Sequence, residues 1–533
     1  MRRTTVPAAA LVVVASAAIG GLFGSRVLAT QDRATERLRV YTAALAAIEN
    51  EYVEPVDSAR LVYGSIDGML HTLDPHSYFF DPREWTQMRE RQEGHYYGLG
   101  ISIQVIDGDI TVTNLFEGSP AYRAGIRRGD VIARIIGQSA KGWTSDQAVA
   151  KLKGPKGTTV DISLRRPGWD KLIDLTVERD EINITTVRTA FMLAPGTGYI
   201  RLQDFSDTTD QEVGEALKKL NAEGAQRLIL DLRDNPGGPL DQAIAVSNRF
   251  LKLGQMIVYT RGRIPNSDVD YHALKQGDTD LPLIVLVNRN SASASEIVSG
   301  AMQDHDRGLV VGETTFGKAL VQSVSALSEG TALALTTAHY FTPSGRMIQR
   351  PWDGSFDEYS TYSMRDQNGA RPHPASELKY TDGGRKVYGG GGIEPDHFIP
   401  GLIEGFNPSR FSRLLVAHGV FVGFAERFAR EGDTSQAAKS GAVHKVARGW
   451  VVTDAIVNEL KQYIASLHIT IDENAFRSDL AFLTAEMRYE IDNDLFGNEE
   501  ARRNMSRVDP QAQAALSLFD DARRLLQMPK KAH

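Results

Sequence analysis

The sequence predicts a multidomain α/β protein flanked by helical regions, and three observations carry that prediction. Three apolar runs, Leu228 to Leu232, Leu283 to Val287 and Leu309 to Val311, alternate with helical patterns, as strands buried on both faces do in layered folds. Between Gly98 and about Glu181 the texture changes to short alternating runs separated by glycine turns, which reads as a β-rich domain. Segments on either side, 31–95 and 403–533, carry the three-four apolar spacing of helices. With 533 residues, 42% apolar and 24% charged, the chain has material for several cores and is not a disordered one. Its net charge of −7 gives no pull toward nucleic acid, and no nucleic-acid partner is expected. Cysteine is absent, which excludes disulfides and thiolate metal sites; neither a metal nor a cofactor is expected.

Taken in order, the chain begins with Arg2-Arg3 ahead of an apolar stretch from Val6 to Gly24, the pattern of an export signal. Val27-Leu28-Ala29 suits signal peptidase, while the apolar run is nearly long enough to span a bilayer if it is kept. Residues 1–30 are therefore read as a signal peptide or membrane anchor. The mature protein is expected to be exported and periplasmic, tethered to the inner membrane if residues 6–24 are retained. In the helical region 31–95, Tyr41, Leu45 and Ile48 fall on one face, and Asp74-Pro75-His76-Ser77 interrupts it as a turn. His76 is read there as a structural hydrogen-bonder rather than a base.

In residues 96–181, Ile101 to Val105 alternates, Asp107-Gly108-Asp109 turns the chain, and Ile110 to Thr113 returns. Gly118 to Ala121, Ala124-Gly125-Ile126 and Arg128 to Ile132 follow, with a helix expected at Asp146 to Leu152 and a closing strand at Val160 to Leu164. This order resembles a PDZ domain. The resemblance implies that Gly98, Leu99, Gly100 and Ile101 offer backbone N–H groups to a terminal carboxylate while the peptide adds a strand to the sheet. Glycine suits such a loop because no Cβ keeps an anion away from the backbone.

A second α/β region is expected over 182–402. Thr209-x-x-Glu212 reads as a capping box opening a helix with Val213, Leu217 and Leu220 inward, and Arg233 to Gly238 ends the buried strand at 228–232. Residues 351–392, rich in Gly, Asp, Tyr and Ser, read as an elaborated loop. Beyond it, Phe411, Leu414, Phe421, Ala425 and Phe428 share a helical face on which His418 is expected as a packed core residue, and Ile456, Leu460 and Ile464 repeat the pattern. The extension 403–533 is expected to serve packing or dimerisation.

Chemistry concentrates where Ser291 to Glu296 follows the apolar run ending at Val287, and Gly312 to Lys318 follows the run ending at Val311. Strand ends of an open α/β sheet are where such folds place reactive groups. Three readings compete. Gly312-x-x-x-x-Gly317-Lys318 has the start of a phosphate loop, but Ala319 stands where Ser or Thr must hold Mg²⁺. A Ser-His-Asp hydrolase lacks its Gly-x-Ser-x-Gly elbow here. The third reading is a serine–lysine dyad. A lysine base must be neutral, and at its free pKa only on the order of one in 2,500 is neutral at pH 7. An apolar setting such as Thr314 to Gly317 with Leu320-Val321 favours the neutral form, whereas a carboxylate from Glu313 in contact would oppose it.

Together these motifs resemble the carboxy-terminal processing, or tail-specific, peptidases. The resemblance covers most of residues 60–400: Leu73 to Ser77, the PDZ pattern, Asp231 to Gly238, Ser291 to Glu296, Phe316-Gly317-Lys318 and Thr342 to Gly345. It implies an α/β serine-peptidase core behind the PDZ domain, with Ser293 as nucleophile, Lys318 as general base and Gln322 orienting the lysine. It also implies an oxyanion hole from backbone N–H groups of Gly237, Gly238 and Ala294. Proteins or peptides with accessible C-termini are the implied substrates, cleaved through an acyl-enzyme at a PDZ-gated site. An activator or adaptor protein and a second copy of the chain are further expected partners. Ser295 is expected to cap the following helix. The family usually has glycine where this chain has Ala319, so a positive φ there would strain the loop. A PDZ adaptor with a degenerate peptidase domain is the non-enzymatic alternative.

Overall fold

The structure, a computed structural model, describes residues 35–116, 118–166, 169–352, 359–364, 373–400, 408–428 and 444–529. The expected signal or anchor at 1–30 lies outside the described residues. Among the described residues no helix is long and apolar enough to cross a membrane.

The described residues form two compact units, one within 35–82 and 324–335 and one within 83–323 and 336–529. In the first, a helix over 35–51 is followed by Ser58–Leu70, capped by the Asp57 carboxylate. The expected all-helical region also contains a strand, Tyr78–Phe80, which pairs antiparallel with Ala332 to Ala334. The turn before it is set by Asp74, whose carboxylate accepts the backbone N–H groups of His76 and Ser77 and the Ser77 hydroxyl.

The second unit is built on a six-stranded sheet in the order Val187–Ala194, Thr197–Leu202, Arg227–Asp231, Leu283–Val287, Leu309–Gly312 and His397–Phe398. The first pair is antiparallel and the remaining pairs are parallel. Alternate residues along the central strands serve opposite faces, which is why these runs are apolar throughout. Leu228, Leu230, Val285 and Val310 meet the helices Thr209–Ala222, Leu240–Asn248 and Ala294–Asp304. Ile229, Ile284, Leu286 and Val311 meet Ala515, Phe519, Ala522 and Leu525 from the end of the chain. The C-terminal extension therefore forms the second covering layer of the sheet.

Ahead of this core, Ile101–Ile106, Asp109–Leu115, Val131–Ile135, Thr159–Arg165 and Ile173–Glu178 form an antiparallel sheet closed by the helix Ser145–Leu152. Positive φ at Asp107 and Gly108 makes the expected hairpin turn. The expected closing strand is an inner one, paired on its far side with Ile173–Glu178.

Several local expectations are corrected. Thr209 and Glu212 form no capping box. Thr208 is the N-cap residue, while the Glu212 carboxylate accepts from the N–H groups of Thr186 and Val187, fastening the helix to the incoming strand. In the extension, the helices Arg410–Ala417 and Val420–Phe428 are separate, with a break at Gly419 (φ 63°). One apolar stripe does not run through that break. Leu415 is buried, Leu414 is exposed, and His418 is an exposed cap residue rather than part of a core. The loop 351–392 contains a two-stranded ribbon, Leu378–Tyr380 with Lys386–Tyr388.

Candidate active site

Ser293 stands where the chain leaves the strand Leu283–Val287 and enters the helix Ala294–Asp304. Its backbone has φ 54° and ψ −112°, a conformation that costs a non-glycine residue roughly 1–3 kcal/mol. Neighbouring groups hold it there. The Ser293 N–H donates to Glu296 Oε2 at 2.9 Å, and its carbonyl accepts from the Tyr340 hydroxyl at 3.1 Å. Gly237 lies against it so closely that an added methyl would sit 2.7 Å from Ser293 Cβ. The turn at Ser293 is sharp and lacks the glycine pair that flanks the serine of a Gly-x-Ser-x-Gly elbow.

Lys318 is half-buried in the segment after Leu309–Gly312. Its N–H donates to the same Glu296 oxygen at 2.8 Å, and its carbonyl accepts from the same Tyr340 hydroxyl at 2.5 Å. Glu296 Oε1 takes the Gly317 N–H at 2.7 Å and the Thr315 hydroxyl. Burial pushes the Glu296 carboxyl up to about 7 against the pull of these donors. Glu296 and Tyr340 thus pin both expected catalytic residues by their backbones, and the reading of the sequence misses both. Glu296 leaves a signal, because Ser-x-x-Glu from Ser293 is capping-box spacing. Tyr340 leaves none.

Ala319 is not among the non-glycine residues with positive φ, so alanine in place of glycine brings no strain. Its N–H donates to Gln349 Oε1 at 2.8 Å. Glu313 is paired with Arg289, both buried. Gln322 Nε2 donates to Thr336 Oγ1 at 3.3 Å.

Opposite Ser293 runs the loop from Arg233 to Gly238. The Asn235 carbonyl accepts from the Ala292 N–H at 3.0 Å and from the Ser295 hydroxyl at 3.1 Å, so Ser295 ties loops together instead of capping the helix. The Gly237 N–H is directed to Asn235 Oδ1 at 2.9 Å. Gly238 passes Phe205 where any Cβ would lie 2.2 Å from a backbone oxygen. Ala294 is the first residue of its helix, where the N–H has no intrahelical acceptor.

In the smaller domain, a cleft of about 320 Å³ lies between Ile101–Ile106 and Ser145–Leu152, with Leu99, Gly100, Ile101 and Leu152 in its lining. Gly98 is the last residue of a strand paired with Asp180–Asn183, and Leu99 and Gly100 carry the chain into the cleft. Gly100 has φ 76°, and a Cβ there would collide with Ser119 at 2.3 Å. Burial and the Glu90 carboxylate push the Tyr96 hydroxyl up to about 12 against the pull of the Gly100 N–H. The helix Pro82–Glu93 adds Gln87, Glu90 and Arg91 to the cleft wall, and Glu90 pairs with Lys153.

A strained serine between a buried strand and a helix suits covalent acyl transfer, and a cleft beside an edge strand in the same unit suits a polypeptide substrate. The class is that of a serine peptidase. Residues 196–353 match Peptidase family S41, 86–165 match the PDZ domain and 25–83 match the Activating protease CtpB N-terminal domain. The Carboxy-terminal-processing protease of Bartonella bacilliformis is 41% identical over 308 residues, which is 57% of this chain and 70% of that protein. Carboxy-terminal processing protease CtpA of Bacillus subtilis is 35% identical over 330 residues, 62% of this chain and 70% of that one. The chain belongs to the carboxy-terminal processing serine proteases of family S41.

Proposed function

We propose that this protein is an exported serine endopeptidase that selects substrates by their C-terminal tails and cleaves them with a Ser293–Lys318 dyad. The observation that supports the dyad is the shared Glu296 oxygen, which draws the Ser293 and Lys318 backbones to one point. Neutral Lys318 takes the Ser293 Oγ proton as Oγ attacks the scissile carbonyl. Gly238 and Ala294 face the developing oxyanion with their N–H groups. As the C–N bond breaks, the lysine ammonium protonates the leaving amine, and water then releases the acyl group by the same path. Gln322, held through Nε2 by Thr336, turns its amide oxygen to the lysine without adding charge.

A substrate tail occupies the Leu99–Ile101 edge, with its carboxylate on the N–H groups of that loop. The Gly237 N–H, directed to Asn235 at rest, joins the oxyanion hole only on rearrangement, which accords with a PDZ-gated resting state. An activator or adaptor protein and self-association complete this reading. The protein acts in the periplasm, with residues 6–24 as signal or inner-membrane anchor.

Purified chain lacking residues 1–30, tested on an unstructured substrate with an apolar tail beside Ser293→Ala and Lys318→Ala, decides the matter. Activity in the first protein alone is expected. Equal activity in all three removes the dyad, and tail binding without cleavage in any favours the adaptor or a missing activator.

A further inference from the structure

The strand Arg227–Asp231 ends in a buried charge cluster. The Asp231 carboxylate accepts from the Tyr199 hydroxyl at 2.5 Å, Arg201 Nη1 at 3.0 Å, and Arg233 Nε and Nη2 at 2.9 and 2.7 Å. Arg201 Nη2 also reaches Asp234 Oδ2 at 3.2 Å, so the two guanidinium groups are divided between Asp231 and Asp234, and the outer edge of Arg233 is left for further partners. Those partners come from the C-terminal extension. Arg233 Nη2 lies 2.6 Å from Asp509, and Nη1 donates to Gln511 Oε1 at 2.8 Å.

Both partners are themselves anchored. Asp509 caps the helix Pro510–Ser517 by accepting from the N–H groups of Gln511 and Ala512. Gln511 donates through Nε2 to the Ile399 carbonyl at 2.9 Å. On the other side, Arg233 leads directly into the loop against Ser293. Asp234 has φ 61° and binds the Asn288 and Asn290 side chains, and the Asn235 carbonyl carries the Ala292 N–H.

We propose that Asp509 and Gln511 are positioning residues for the peptidase reaction: by fixing the Arg233 guanidinium they hold the 234–238 loop at the distance from Ser293 that the oxyanion requires. The C-terminal extension is then a working part of the active site as well as a covering layer. This rests on the Ser293 reading above. A loop displaced by a fraction of an ångström loses transition-state contacts before substrate contacts, so kcat falls while KM holds.

The test uses Gln511→Leu, Gln511→Glu and Asp509→Asn, the last keeping an oxygen to cap the helix while removing the charge. Steady-state cleavage is measured with hydrogen exchange over residues 234–238, well below the melting temperature of each variant. Gln511→Leu and Asp509→Asn are expected to lower kcat about tenfold with KM within about twofold, and to speed exchange in the loop to a similar extent. Gln511→Glu keeps the acceptor for Arg233 but loses the Nε2 donor to the Ile399 carbonyl, so both effects are expected to fall between those of Gln511→Leu and the unaltered chain. Unchanged kcat and unchanged loop exchange overturn the proposal, as does a fall in kcat that only tracks the unfolded fraction. If Ser293→Ala keeps full activity, the nucleophile assignment fails instead, and loop exchange still judges the role of Asp509 and Gln511.

Discussion

The backbone N–H groups of Ser293 and Lys318 meet on one atom, Oε2 of Glu296, at 2.9 and 2.8 Å. Burial pushes this carboxyl up to about 7, above the ordinary value near 4.5, so between those pH values the folded state holds a proton that the unfolded state has released. The contribution to stability is fully present below about 4.5 and is lost as pH rises through about 7. Glu296→Gln removes that dependence and sets an NH2 group against backbone donors. Urea unfolding at pH 5 and pH 8 should show a smaller pH difference in the variant, with kcat at least about tenfold lower. The same pH difference in both proteins refutes the assignment.

Gln322 allows a test of the base that leaves both reacting groups in place. Gln322→Glu puts a carboxylate where an amide oxygen stands, which stabilises the protonated lysine. The acidic limb of the kcat/KM profile is expected to move to higher pH, by about one unit. Gln322→Ala should lower kcat without that displacement. A limb that stays put in Gln322→Glu means that another group is the base.

How much of this was legible in the sequence depends on the range over which each pattern acts. Leu228 to Leu230 must satisfy two faces of a sheet, so the run declares a buried strand locally. The Ser293 and Lys318 motifs are likewise short and contiguous. Tyr340, Asp509 and Gln511 reach the site from distant positions, and no spacing rule connects them to it. His418 fails for a different reason: its stripe is counted across a helix break at Gly419, where the period restarts.

Arg128 and Glu490 form an ion pair at 2.7 Å between the smaller domain and the helix Leu480–Phe496, with side chains only 12% and 13% exposed. Burial, with Glu490 adding to it, also pushes the neighbouring Glu486 up to about 7. Removing Arg128 therefore leaves acidic groups crowded in a dry contact. Arg128→Ala is expected to cost about 3 kcal/mol, and Arg128→Ala with Glu490→Ala less than the sum of the two single changes. Thermal or urea unfolding of the four proteins measures the coupling, and strict additivity would show that the pair holds nothing.

Tyr96 gives the proposed tail-binding cleft its own competitor. The Gly100 N–H, one of the groups proposed above to hold a peptide carboxylate, acts on its hydroxyl. The ring lies under the Lys153 ammonium, 4.6 Å from the ring centroid. A tail must displace that hydroxyl, and the ring can remain as part of the wall. Tyr96→Phe keeps the ring and frees the donor. Since a net hydrogen bond is worth about 1 kcal/mol, tail affinity should rise about fivefold. Fluorescence anisotropy with a labelled peptide ending in an apolar residue measures this, with its C-terminal amide as the control. The amide should bind more weakly to both proteins and gain less from the substitution, because its uncharged carbonyl oxygen accepts from that N–H less strongly than a carboxylate does. Equal gains for acid and amide would instead mean that the substitution merely enlarges an apolar cleft.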